Sequence, residues 1–293
     1  MISPDDPLWD APLDEVPLAF LDLEMTGRDP VRDRICEIAI HRVIAGQTVA
    51  RMVSLVRPGR PVGKSVAIHH IDDEILRDAP TLDELRHEIS ESLDSAIPVG
   101  HAIRFDLAFL SAARARGEIS WTPTQALDTR GLAERALRLG SASLAALAHD
   151  LGLPLPTHRA EPDVIATRAL FQAVRGVLRP TTARHLLLAQ NVSGPASLRE
   201  DMERTLREAY DRKRAVRIGY RVPGRNAMID ELDVWALEPP RVEGWLHRKS
   251  AMRALRGDRL LWIESTDLPY ARPRPRDFLP TIPRTTDLRE KDG

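Results

Sequence analysis

Aromatic residues are scarce in this 293-residue chain, 4% in all, and cysteine occurs once. A single cysteine excludes an intramolecular disulfide, so the fold must rest on an apolar core, and a hydrophobic fraction of 43% supplies one. Cys36 lies inside the apolar stretch RICEIAI with no histidine or basic helix start beside it, which marks a buried, inert thiol rather than a nucleophile. No apolar run reaches the length of a membrane span. The N-terminal MISPDDPLWDAPLDE has no basic region leading into an apolar core, so the chain reads as soluble and cytoplasmic, with no membrane partner.

An excess of one charge is also missing, since the formal net charge is −1. That balance hides an asymmetry. Residues 1–180 carry 20 Lys and Arg against 26 Asp and Glu, net −6, whereas 181–293 carry 22 against 17, net +5. The first part suits a cation site built from carboxylates. The second is compatible with a polyanionic partner or with an ordinary solvated surface.

What is present begins with LAFLDLEMTG, residues 18–27. It reads as a buried strand carrying Asp22 and Glu24 near its end. Side chains two apart share a strand face, so these carboxylates converge, and like charges held together call for a cation such as Mg²⁺ or Mn²⁺. Two further settings are acidic. Asp106, in GHAIRFDLAFL, falls in the first turn of a helix that follows a short strand. His158 and Asp163, in HRAEPDV, straddle a loop and the first turn of the next helix. Singly, each has an ordinary explanation: an acidic strand face, a carboxylate favoured by the helix dipole, an exposed loop histidine.

Along the chain, residues 1–16 read as a leader, either loose or ordered on contact. Strands are expected at 18–24, 34–44 and 48–57, and a capping box of Thr81 and Glu84 opens a helix to about 96. A strand at 97–101, a helix at 104–116, a strand at 125–129 and helices at 129–138, 143–151 and 161–178 complete an α/β domain at 17–178. Residues 179–203 read as a linker with a helix. Five short strands separated by PGRN, EPPRVE and a Gly257-Asp258 turn make a small all-β domain at 204–270, and 271–293 reads as a charged, proline-rich tail.

Taken together, DLEMTG, GHAIRFDLAFL and HRAEPD resemble, in order, the three motifs of the DEDD 3′→5′ exonucleases, in the subfamily that uses histidine. The first is similar to that of oligoribonuclease, and the second to that of ribonuclease T and the epsilon subunit of DNA polymerase III. The resemblance covers about residues 17–178. It implies a ribonuclease H-like mixed sheet flanked by helices and a site for two divalent metal ions, Mg²⁺ or Mn²⁺, held by Asp22, Glu24, Asp106 and Asp163. It also implies that His158 takes the proton from the attacking water, that the substrate is a single-stranded DNA or RNA 3′ end, and that 5′-mononucleotides are released. The backbone around Met25 and Thr26 is expected to meet the terminal nucleotide, with His101 and Phe105 lining the cleft. A sister subfamily has tyrosine four residues before its last aspartate. Here that residue is Arg159, and the first tyrosine is Tyr210.

Two departures stand out: Ala102 replaces the asparagine usual after the motif histidine, and His70 replaces a glycine in the middle loop. The second domain is similar to the WYL module, a small SH3- or Sm-like β-barrel, through AYDRKRAVRIGYR, GWLH and RALRGDRL. That resemblance implies a nucleic-acid or nucleotide-like ligand held by Tyr220, Arg253, Arg256 and Arg259. Ala102 leaves a second reading open, a nucleic-acid-binding or ligand-sensing regulator whose nuclease site is vestigial. DNA against RNA preference and oligomeric state are open.

Overall fold

The computed structural model describes residues 5–122, 125–137, 140–190, 198–222 and 227–271. Its first sheet has the order β3-β2-β1-β4-β5. Strand β1 (Leu18–Met25) is central, pairing antiparallel with β2 (Ile35–Ile44) from Leu18↔Val43 to Glu24↔Glu37. On its other side Leu18–Phe20 pair in parallel with β4 (Ile97–Gly100). β3 (Gln47–Leu55) continues the meander at one edge, and β5 (Leu127–Asp128) extends the parallel side. A central strand is covered on both faces, which is why β1 starts as an unbroken apolar run. β3 is exposed over its first five residues, as suits an edge.

Helices cover both faces. α2 (Arg86–Leu93) and α3 (Arg104–Ala115) contribute Ile89, Leu93, Phe109, Leu110 and Ala113 to one core, which also takes Leu21 and Leu23 of β1. The long helix α6 (Ala160–Leu178) lies on the opposite face, where Phe171 meets Phe20 edge to face at 5.3 Å. Asp22 and Glu24 share the face of Phe20. Four strand residues from Phe20 to Glu24 advance about 13 Å, and eight helix residues from Phe171 back to Asp163 about 12 Å. Seating Phe171 on Phe20 therefore brings Asp163 to the two carboxylates. α4 (Thr129–Ala136) and α5 (Leu144–Leu151) pack on α6, and a short helix α1 (Val66–His69) lies between β3 and α2 in the chain.

Of the two readings of the leader, residues 5–16 follow the one ordered by contact: Trp9, Leu13 and Val16 are buried, and Leu13 N–H donates to the carbonyl of Thr181. Burying one large apolar side chain contributes about 1.5–3 kcal/mol, ample to hold a short segment. The helix expected within 179–203 is α7 (Ala183–Gln190); its Leu186 and Leu187 are buried and it packs on α4, so this stretch belongs to the folded domain. The capping box is present, with Thr81 and Glu84 bonded reciprocally, yet regular helix starts only at Arg86 because the intervening residues form turns.

A second compact unit begins at Ala196, with residues 219–228 grouped with the first. It opens with α8 (Glu200–Arg212), followed by β6 (Arg214–Tyr220), β7 (Met228–Glu238), β8 (Arg241–Leu246), β9 (Ala251–Arg256) and β10 (Leu260–Pro269). The five strands form one sheet, in the order β10-β6-β7-β8-β9. A bulge between Val234 and Ala236 presses β7 onto β8, and a Cβ on Gly244 would sit 2.0 Å from the carbonyl oxygen of Asp233. Only glycine fits there. The expected tail, 271–293, lies outside the described residues beyond residue 271.

Candidate active site

β4 stops pairing at Phe20, so the last part of β1 loses its parallel neighbour. Into that opening α3 delivers Asp106. The carboxylate is 5% exposed and accepts from the backbone N–H groups of Leu23 and of Asp106 itself. From the face of α6 comes Asp163, 8% exposed, whose Oδ1 accepts from Thr157 N–H at 2.8 Å. Carboxylate oxygens of Asp22, Glu24 and Asp163 all lie within 4.8 Å of one another. The site thus lies along the carboxyl-terminal half of the central strand, past the point where β4 pairs with it.

Burial and mutual repulsion dominate the electrostatics of the site. Burial, followed by repulsion from Asp106, Asp163, Glu24 and Glu37, raises Asp22 well above the carboxylate range. Burial, then Asp163 and Glu37, pushes Glu24 up to about 8. Asp106 also reaches about 8, chiefly through burial, and burial raises Asp163. A hard oxygen-seeking cation at this point would relieve every one of these repulsions, so the donor set fits a divalent ion.

His158 stands at the rim, exposed, with a left-handed backbone (φ 57°). Among the described residues its ring makes no hydrogen bond, leaving it free to meet a substrate. Phe105 is 42% exposed in the first turn of α3 beside Asp106 and leans edge to face on Phe109, as a base-stacking platform would.

Other sequence-derived residues sit differently. The hydroxyl of Thr26 accepts from Arg34 N–H at 3.0 Å, and Thr26 N–H donates to the carbonyl of Arg34, closing the turn after β1. The carboxylate of Asp33 packs where a Cβ on Gly27 would be, 2.2 Å away, which explains the Thr-Gly pair. Met25 is a core side chain. The ring of His101 is held on both sides: Nε2 donates to the carbonyl of Ala142 at 2.9 Å and Nδ1 meets the hydroxyl of Thr129 at 3.1 Å. Burial lowers its pKa and keeps it neutral, a tie between β4 and its neighbours. Ala102 adopts φ 59°, the left-handed region that asparagine tolerates better than alanine, and its N–H donates to Asp128 Oδ1 at 2.9 Å.

Two residues of the site escaped the sequence reading. Glu37 of β2, 4% exposed, lies directly across from Glu24 and holds Arg159 through contacts of 2.6 and 3.0 Å. Glu37 carried a signal, a charge within a buried apolar strand, the same one that marked Asp22 and Glu24. His69 is also buried, its Nδ1 accepting from Ile71 N–H at 3.1 Å and its Nε2 3.8 Å from Cys36 Sγ, while burial drives that thiol up to about 12.

In the second unit Tyr220, expected to hold a ligand, is buried at the end of β6. Arg253 and Arg256 are three apart on β9 and therefore face opposite sides of the sheet, and the fork of Arg256 is paired with Asp258 at 2.9 and 3.0 Å. Arg259 follows in a 3-10 turn.

Residues 19–171 match the profile of the RNase_T family, described as Exonuclease. Over 175 residues the chain is 35% identical to a DNA polymerase III subunit epsilon-like protein of Rhodobacter capsulatus, covering 56% of this chain and 24% of that protein. Over 156 residues it is 32% identical to the 3′-5′ exonuclease DinG of Staphylococcus epidermidis, covering 52% and 17%. The chain thus spans about a quarter or less of these relatives. In fold it is similar to E. coli Exonuclease I in complex with a dT13 oligonucleotide, with a TM-score of 0.51 and 17% identity over 79% of this chain and 55% of that one. With the matched segment enclosing Asp22, Glu24, Asp106, His158 and Asp163, the chain belongs to the RNase_T exonuclease family.

Proposed function

We propose that this chain is a metal-dependent 3′→5′ exonuclease that removes nucleotides from single-stranded ends and releases 5′-mononucleotides. The observation that carries the reading is the convergence of Asp22, Glu24 and Asp163 within 4.8 Å, with Asp106 buried beside them. Asp22, Glu24, Asp163 and Asp106 would hold two divalent ions, Mg²⁺ or Mn²⁺. When bound, such ions activate water and neutralise charge on the phosphoryl group and its leaving oxygen. The ring of His158, exposed and without a hydrogen bond among the described residues, takes the proton of the attacking water, a task suited to imidazole. Phe105 stacks on a base near the 3′ end, which suits unpaired rather than duplex substrate. The names of the relatives and the oligonucleotide bound to Exonuclease I support the substrate class.

The second unit is read as a WYL-like accessory domain that binds nucleic acid or a nucleotide-like ligand. A helix followed by one five-stranded sheet is compatible with a small SH3- or Sm-like barrel. Its outer face carries Trp235 and Trp245, stacked 6.1 Å apart, and Arg241 and Arg256 share the side of Trp245 through the β8–β9 register. Aromatic faces interleaved with arginine suit bases and phosphates. Digesting matched single-stranded DNA and RNA, with wild type, Trp245→Ala and Arg256→Ala, tests both parts. Trimming from the 3′ end, with weaker retention of substrate in the two variants, is the expected result. Absence of trimming on either polymer overturns the nuclease reading, and unchanged retention overturns the accessory one.

A further inference from the structure

Glu37 is a fifth carboxylate at the site, and nothing in the metal chemistry asks for it. It lies directly opposite Glu24 in the β1–β2 register. Like charges directly opposite in an antiparallel pair destabilise it, so the position calls for a reason. One oxygen accepts from the backbone N–H of Ala160 at 2.8 Å, and the fork of Arg159 closes on the same carboxylate with Nη2 at 2.6 Å and Nε at 3.0 Å. A charge-assisted fork of this kind fixes angle as well as distance.

What it fixes is the junction from which the active-site residues of α6 project. Arg159 follows His158, and Asp163 N–H donates to the carbonyl of Arg159. Thr157 N–H closes the other side of the loop on Asp163 Oδ1 at 2.8 Å. His158 itself sits in a left-handed conformation and its ring has no hydrogen bond among the described residues, so its place is set by its backbone alone. Resting on the exonuclease reading above, we infer that Glu37 and Arg159 form a positioning pair that holds His158 and Asp163 in register with Asp22 and Glu24. The pair touches no reacting atom. It ties the strand that neighbours the metal cluster to the loop that presents the base.

The test uses the full chain with Arg159→Gln, alone and combined with His158→Ala. Misplacement of a catalytic group by about 1 Å costs on the order of 10²-fold, so Arg159→Gln should lower kcat by about 10- to 100-fold with KM changed by less than about threefold. In the His158→Ala background the further loss should be smaller, because one of the two positioned groups is gone and only the displacement of Asp163 still counts. A kcat within about twofold of wild type overturns the inference, as does an equal loss in both backgrounds. Should Arg159→Gln not fold, Arg159→Lys keeps the charge without the fork. A fivefold or larger fall in its kcat then supports the pair, and a wild-type kcat overturns it. Amide hydrogen exchange of the metal-free protein gives a readout independent of catalysis. Faster exchange over 157–163 in the variant, with β1 unchanged, supports the pair even if the wild type cuts nothing, and unchanged exchange overturns it.

Discussion

Metal uptake should depend steeply on pH. Glu24 and Asp106 are both pushed up to about 8, chiefly by burial. At pH 7 a carboxyl of pKa about 8 is protonated roughly ten times in eleven. A divalent ion binds the ionised forms, so occupying the site near neutrality should release about two protons from these residues. Each released proton steepens the apparent affinity by a factor of about ten per pH unit, so from pH 6 to 7 these two groups alone should raise the affinity for Mn²⁺ about 100-fold, and Asp22, also raised, adds to the slope. Calorimetric titration with Mn²⁺ in two buffers of different ionisation heat counts the protons directly. An affinity flat from pH 6 to 8.5, with no buffer dependence of the heat, would refute the reasoning.

The same shifts fix the sign of stability without metal. The folded chain binds more protons than the unfolded one, so this contribution is complete below the ordinary carboxylate range and is lost as pH rises through about 8. In EDTA the Tm should therefore fall between pH 5 and 9, and Asp106→Asn should raise it at pH 8 while abolishing metal-dependent cleavage; a lowered Tm contradicts this. Ala102→Asn should stabilise the chain by about 0.5–1 kcal/mol by easing the left-handed backbone, read from denaturant midpoints, with no gain if φ 59° carries no strain. Gly244→Ala should destabilise by about 3 kcal/mol or more, because its Cβ meets the carbonyl of Asp233 at 2.0 Å, and a change under about 1 kcal/mol would show that β7 can yield.

Much of the α/β layer was legible because its signals are local. The apolar run of β1 and the 3.6-residue period of α6 marked elements whose faces then fixed Asp22, Glu24 and Asp163 together. The motif spacing carried the rest of the acidic site. What stayed hidden depends on partners far apart in sequence. Glu37 meets Arg159 122 positions away, and no local pattern announces that fork. Trp9, in a chain so poor in aromatics, was the clue that the N-terminal segment packs rather than trails. His101 resembled a cleft residue by motif, and its ring is held by Thr129 and Ala142. In the second unit, residue types suggested a cluster of arginines, and strand alternation separated Arg253 from Arg256.

In the proposed function the carboxylates around Asp22 make a 3′-end-directed nuclease with His158 as its base. The most direct measurement is a time course on one single-stranded oligonucleotide labelled at either end, with Mg²⁺ or Mn²⁺, for wild type, Asp22→Ala and His158→Ala. The account predicts immediate release of the 3′ label as a mononucleotide, a ladder shortening stepwise beneath the 5′ label, no cleavage by Asp22→Ala, and a rate lowered by roughly 10²- to 10⁴-fold in His158→Ala. Internal cuts, loss of the 5′ label first, or wild-type rates in either variant would contradict it.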